Sequence, residues 1–177
     1  SAADLVNTLP EAELRRLLWD FGEEKAARTI ARKLVQARRE LPITTTSQLA
    51  ETVRSVVRPQ AGGIHPATKT FQALRIAVND ELGSLDALLG AVRRSAAGKS
   101  SLLKPGARVG IIAFHSLEDR PVKHAFADLI RDGLAENVSG GAVKPAEDEV
   151  DGNPRSRSAT LRVVKIKGAT ESNAATR

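Results

Sequence analysis

Ala107-Arg108-Val109-Gly110-Ile111-Ile112-Ala113-Phe114-His115-Ser116-Leu117-Glu118-Asp119-Arg120 is the stretch that decides the fold class. Its first eight residues form a short, largely apolar run with β-branched side chains, entered through the turn Leu103-Lys104-Pro105-Gly106. That length and content suit a buried strand of a parallel sheet. Ser116 and Asp119 then open a helix that packs Val122, Phe126, Leu129 and Ile130 and stops near Gly133. Residues 134–152 read as loop with an acidic patch, and Thr160 to Lys167 alternates as a last strand. Strand, helix, loop and strand make this half of the chain α/β.

Upstream, the apolar spacing is helical. Thr8-Leu9-Pro10-Glu11 has the form of a capping box, with Leu14, Leu17, Leu18 and Phe21 on one face behind it and Gly22 as a left-handed stop. A second helix spans about Glu23 to Arg39, with Ala27, Ile30, Leu34 and Val35 inward. Its other face is basic: Lys25, Arg28, Arg32, Lys33, Arg38 and Arg39. Thr45-Thr46-Ser47-Gln48 caps a third helix, to about Val57, and residues 58–63 form a loop. His65-Pro66 starts a fourth helix with Phe71, Leu74, Val78 and Leu82 inward. Gly83-Ser84 caps a fifth, carrying Leu85, Leu88, Leu89 and Val92. Two strands do not make a stable sheet alone. The second half therefore reads as the end of an α/β sheet whose earlier strands are absent. The chain starts at Ser1 and contains no methionine, which fits a piece of a longer product or a processed one.

Composition removes several classes. With no cysteine there is no disulfide framework, no thiolate nucleophile and no cysteine-ligated metal. No run approaches the roughly 18 apolar residues of a membrane span, and no signal segment opens the chain, so a cytoplasmic protein without membrane attachment is expected. The net charge of +6 is a weak pointer to an anionic partner.

Three segments are rich in chemistry. In His65-Pro66-Ala67-Thr68-Lys69-Thr70-Phe71-Gln72-Ala73-Leu74-Arg75, the residues Lys69, Gln72 and Arg75 fall on neighbouring helical positions, where they suit phosphate or an ordinary solvated face. Phe114-His115-Ser116-Leu117-Glu118-Asp119-Arg120 sits at the carboxyl end of a strand, where open α/β sheets bind ligands. It also suits a braced helix start, with Ser116 as cap and Arg120 on a carboxylate. A metal is not expected there, because Glu118 and Asp119 do not share a helical face. In Asn153-Pro154-Arg155-Ser156-Arg157-Ser158, two arginines suit a clamp on a phosphate or on another chain's carboxylates, or an ordinary basic surface turn. Gly98-Lys99-Ser100 is not a phosphate-binding loop: Arg93 stands where the earlier glycine is needed, and a helix precedes it.

Together, and in this order, the three segments resemble the MraW family of bacterial small-subunit ribosomal RNA methyltransferases. Gly22-Glu23-Glu24 with Ile30-Ala31, and Pro42-Ile43-Thr44-Thr45 with Leu49-Ala50, agree more weakly, and the resemblance runs from Ser1 to about Val164. It implies a class I S-adenosylmethionine-dependent methyltransferase sheet, Rossmann-like, interrupted by a helical insertion. Residues 1–63, reaching into the helix at 66–82, correspond to the insertion. Residues 64–167 correspond to the C-terminal part of the methyltransferase domain, with the N-terminal half absent; residues 168–177, largely polar, are expected as a disordered tail. The implied activity is methylation of the exocyclic amine of a cytosine in small-subunit (16S) ribosomal RNA, a step of rRNA processing.

The resemblance places His115 and Glu118 beside the reacting centre, with Arg120 and Arg155 as organisers or RNA contacts, and sets the basic second helix (Lys25, Arg28, Arg32) with Lys69, Arg75 and Arg157 against the RNA backbone. The Gly-rich turn that holds S-adenosylmethionine has no counterpart in this sequence, so cofactor contacts are expected upstream of Ser1 and the piece alone is expected to be inactive. Partners are the small ribosomal subunit and its RNA, with homodimer formation an open possibility. The alternative is a non-catalytic RNA-binding or ribosome-associated module derived from the same family.

Overall fold

A computed structural model describes residues 1–58 and 64–167. The expected loop at 58–63, after its first residue, and the expected tail at 168–177 lie outside the described residues. The chain packs as two compact units, residues 1–81 and residues from 82 onward.

The first unit is helical: α1 (Ala2–Thr8), α2 (Glu11–Gly22), α3 (Ala27–Glu40), α4 (Thr46–Arg54) and α5 (Thr68–Asn79). Leu14, Leu18, Ile30, Leu34 and Val53 are fully buried at its centre. Each such side chain contributes on the order of 1.5–3 kcal/mol through loss of contact with water. On α3 the inward residues are Ala27, Ile30, Ala31 and Leu34, as the spacing requires, while Val35 is half-buried. Asn7 ties α1 to the loop before α4 by donating to the Ile43 carbonyl at 2.8 Å and accepting from the Ile43 N–H at 2.9 Å. Thr45 caps α4 as expected: its hydroxyl accepts from the Gln48 N–H, and the Gln48 side chain returns to the Thr45 N–H.

Several local expectations are corrected. Thr8 does not cap α2; it closes α1, its hydroxyl donating to the Asp4 carbonyl, and α2 begins after Pro10 without a side-chain cap. Gly22 is not the left-handed residue after α2. Glu23 takes that conformation (φ 46°, ψ 39°). Gly22 is instead a packing glycine: a Cβ there would meet the Lys69 carbonyl oxygen at 2.8 Å and the Ala73 Cβ at 3.3 Å. The missing side chain lets α2 and α5 touch backbone to side chain. The fourth predicted helix starts at Thr68 rather than at His65-Pro66, and the ring Nδ1 of His65 accepts from the Ala67 N–H just before it. Val78, expected inward, is 44 % exposed.

The second unit contains α6 (Glu81–Ala96, of which Leu82 onward belongs here), β1 (Arg108–Ala113), α7 (Ser116–Arg131), β2 (Ala135–Asn137), α8 (Glu147–Gly152) and β3 (Thr160–Ile166). A 3₁₀ turn, Pro154–Ser158, leads into β3. The helix α6 begins before Gly83-Ser84, which therefore is not its cap, and Leu88 lies exposed on it. The 134–152 stretch holds β2 and α8 as well as loop.

The sheet order is β1-β3-β2, with β3 antiparallel to both neighbours. β1 and β2 therefore run parallel, joined by α7 as a crossover, and β3 is inserted between them. The expected doubly buried parallel strand is corrected accordingly. The described partner of β1 is antiparallel, and β1 buries one face only: Val109, Ile111 and Ala113 turn inward, while Arg108, Gly110 and Ile112 are exposed. The reason is that α7 covers a single side of the sheet, where Val122, Phe126 and Leu129 pack with Val164 and Ile166. No helix among the described residues is long and apolar enough to cross a membrane.

Candidate functional site

The turn from β1 into α7 is built by the strand itself. Ala113 is buried in the core, so the chain must leave the sheet at Phe114 and His115 before the helix begins. His115 occupies the N-cap position in extended conformation and gives no side-chain cap, so Ser116 is not the cap residue either. The carbonyl of His115 accepts the N–H groups of Glu118 and Asp119.

Glu118 folds back over this turn. Its Oε2 accepts the Phe114 N–H at 2.9 Å, and its Oε1 lies 3.4 Å from His115 Nε2. Both side chains are largely shielded, 14 % and 24 % exposed. The 3.4 Å approach is electrostatic rather than an aligned hydrogen bond, since both ring nitrogens of His115 are buried and lack a hydrogen-bond partner among the described residues. An imidazole buried this way has unused donor and acceptor capacity, which costs free energy unless a ligand or water takes it up. The turn thus sets an imidazole, its ring nitrogens shielded, side by side with a carboxylate oxygen. That pair can accept a proton or hold a polar amine.

Asp119, the other acid of the turn, has a different partner. Arg162 on β3 forks onto it, Nε to Oδ1 at 2.7 Å and Nη2 to Oδ2 at 2.8 Å. The Arg162 hydrogen bonds hold the Asp119 carboxyl below its ordinary range, against a desolvation effect of opposite sign, and Lys144 and Lys123 add to the lowering. The same hydrogen bonds raise Arg162. This bidentate pair clamps the start of α7 to the middle of the sheet. Sequence reasoning missed it, because nothing in the local pattern couples residues 43 positions apart.

The cationic residues singled out by sequence are found in both units. In the helical unit, the Lys69 ammonium donates to the Glu23 carbonyl at 3.0 Å and Gln72 donates to the Phe21 carbonyl at 3.3 Å, so both cover the carboxyl end of α2. Arg75 is exposed and forks onto Glu81 at 2.8 and 2.9 Å. In the second unit, Arg120 is exposed on the first turn of α7. Arg155 and Arg157 are exposed on the 3₁₀ turn, on either side of Ser156, which is buried with its hydroxyl unpartnered among the described residues. Neither arginine braces His115 or Glu118 by an ion pair or hydrogen bond among the described residues.

The β1–α7 turn does not offer the cradle a nucleoside cofactor needs. It has no glycine, and its first free N–H, that of Phe114, is taken by Glu118. Gly110 on β1 faces Leu161 and Val163 at ordinary contact distance, so no cavity stands in place of its side chain.

These features define two units, one helical and one α/β, the second carrying a shielded polar pair at a strand end. The chain belongs to the MraW methylase family, whose sequence profile matches residues 1–167. It is 49 % identical to a protein named ribosomal RNA small subunit methyltransferase H from Methylobacterium sp. (strain 4-46), over 92 % of this chain and 51 % of that protein. Proteins of the same name from Azorhizobium caulinodans and Granulibacter bethesdensis are 48 % and 46 % identical over 93 % of this chain and 50 % and 52 % of theirs. The chain spans about half the length of the curated relatives it matches.

Proposed function

We propose that this chain is the part of an S-adenosylmethionine-dependent ribosomal RNA methyltransferase that supplies the amine-side wall of the active site and the RNA-contacting helical insertion. The observation that carries the reading is the family match over residues 1–167 joined to the buried, unsatisfied His115 beside Glu118. The proposed substrate is the exocyclic amine of a cytosine in small-subunit ribosomal RNA, in the cytoplasm. S-adenosylmethionine supplies the electrophilic methyl, and the elements that hold it lie outside these residues.

A cytosine amine is a poor nucleophile, because its lone pair is delocalised into the ring. The base must be flipped out and its N–H groups directed. With the turn opened by the seated base, which uncovers the buried ring nitrogens of His115, Glu118 Oε1 and the imidazole accept those N–H groups; this orients the lone pair and gives the departing proton an acceptor. The backbone hydrogen bond from Phe114 fixes Glu118 in position for this task. Arg120, Arg155 and Arg157, with Lys69 and Arg75, meet the RNA backbone, where charge contributes affinity without sequence reading. The outer edge of β1 has no strand partner among the described residues, and Ile112 and Phe114 are exposed beside it. This supports pairing with further sheet strands or, for the chain alone, self-association such as a homodimer.

The test joins this chain to the remaining half present in its relatives and measures methyl incorporation into small-subunit RNA. His115→Ala and Glu118→Gln are expected to lower turnover by roughly tenfold or more. Both should leave the melting temperature within a few degrees, since neither opens a core cavity. Full activity with a loss of about 2 kcal/mol in stability would make the turn a brace and exclude it as the site.

A further inference from the structure

On the helical unit, Arg15, Arg16, Trp19 and Asp20 from α2 meet Lys25 in the turn before α3 and Ala27 and Arg28 at its start around a groove of about 480 Å³. The volume lies within the roughly 300–1,000 Å³ of pockets that take small ligands. Trp19 is 59 % exposed, although Leu14 and Leu18 on the same helix are completely buried. The indole therefore has no part in the core. It is also the only tryptophan of the chain, which has no tyrosine.

The surroundings indicate what kind of ligand fits. Four cations and one acid line the groove, and none of Arg15, Arg16, Lys25 and Arg28 has an ion-pair partner among the described residues. Arg32 extends the positive strip along α3. Among the described residues Trp19 and Ala27 are the only apolar lining residues, too few for the apolar centre of a protein-docking groove or for a membrane surface. An exposed flat aromatic ring set among unpaired cations matches the way single-stranded nucleic acid is held, a base stacked on the ring and phosphates on the cations. A duplex fits poorly, because its bases are already stacked.

We infer that the α2–α3 groove is a single-stranded RNA site in which Trp19 stacks on an unpaired base while Arg15, Arg16, Lys25 and Arg28 hold the flanking phosphates. The inference rests on the reading of this chain as RNA-binding, but it is independent of the methyl-transfer site. It assigns to the helical unit the capture of an unpaired strand.

Trp19 emission provides the assay. The 177-residue chain is titrated with a single-stranded oligocytidylate, the matching RNA duplex and inorganic polyphosphate, with binding followed in parallel by anisotropy or by competition against a labelled strand. The single strand is expected to quench Trp19 saturably, while polyphosphate binds without quenching. Trp19→Ala should weaken single-strand binding by roughly tenfold to a hundredfold, Trp19→Phe much less, and polyphosphate affinity should not change. The salt dependence of single-strand affinity should have a logarithmic slope of about −3 for four phosphate contacts, and Arg15→Ala should reduce it by roughly 0.7. Binding by anisotropy with unchanged emission, and equal affinity for Trp19→Ala, would overturn the stacking site while leaving RNA binding intact. Equal quenching by duplex or polyphosphate would also overturn it. No binding of any RNA at low salt would overturn the site together with the RNA-binding reading.

Discussion

Breaking the Asp119–Arg162 clamp tests how the strand-end turn is held. The two side chains are 26 % and 17 % exposed and share two charge-assisted hydrogen bonds at 2.7 and 2.8 Å. A fully exposed pair contributes about 0–1 kcal/mol, and removing one partner of a fully buried pair costs about 3–5 kcal/mol. This clamp lies between those limits, so Asp119→Ala is expected to cost about 2 kcal/mol. Arg162→Met should cost a similar amount, because it strands the Asp119 carboxylate, and the double variant little more than either. The coupling from that cycle should come to roughly 1–2 kcal/mol. Thermal unfolding followed by circular dichroism should show each single variant lower by about 4–8 °C, at roughly 2–4 °C per kcal/mol for a chain of this size.

The pH dependence follows from the direction of the shift. Asp119 titrates below its ordinary value of 3.8 when folded. Its stabilising contribution is therefore complete above about pH 4, where the unfolded carboxyl is also ionised, and is lost as pH falls through the depressed folded value. Asp119→Asn should remove that acid-side loss and flatten the stability profile below pH 4. Single and double variants all within about 0.5 kcal/mol of the parent would refute this account and reduce the clamp to a solvated surface pair.

Gly22→Ala gains up to about 1 kcal/mol of helix propensity but places a Cβ at 2.8 Å from the Lys69 carbonyl, so a net loss of about 1–2 kcal/mol is expected in denaturant unfolding. A stabilised variant would mean that α5 yields freely. Thr45→Ala removes the hydroxyl that accepts from the Gln48 N–H and should cost about 1 kcal/mol, read as a lower denaturation midpoint.

Local signals made part of this protein readable in one dimension. The capping box at Thr45, the buried stripe Ala27, Ile30 and Leu34, and the change of period at Ala107 all depend on residues within a turn or two of each other. Composition excluded cysteine chemistry, and the three motifs pointed to the family that the profile then matched over 1–167. The apposition of His115 and Glu118 is a local consequence of a strand ending at a helix start, which is why the sequence could suggest it.

Other features depend on distant residues. Gly22 looks like a helix stop until α5 is seen to pass against it; the left-handed residue then becomes Glu23. Lys69 and Gln72 reach back to carbonyls at the end of α2, a contact across about 50 residues that no local pattern shows. Asp119 finds Arg162 only after β3 inserts between β1 and β2, and that insertion also converts the expected parallel pairing into an antiparallel one. Trp19 carries no signal as an isolated letter. Its exposure among unpaired cations exists only once α2 and α3 fold against each other, because helical periodicity ranks a residue by its own face and cannot see what the neighbouring helix leaves open.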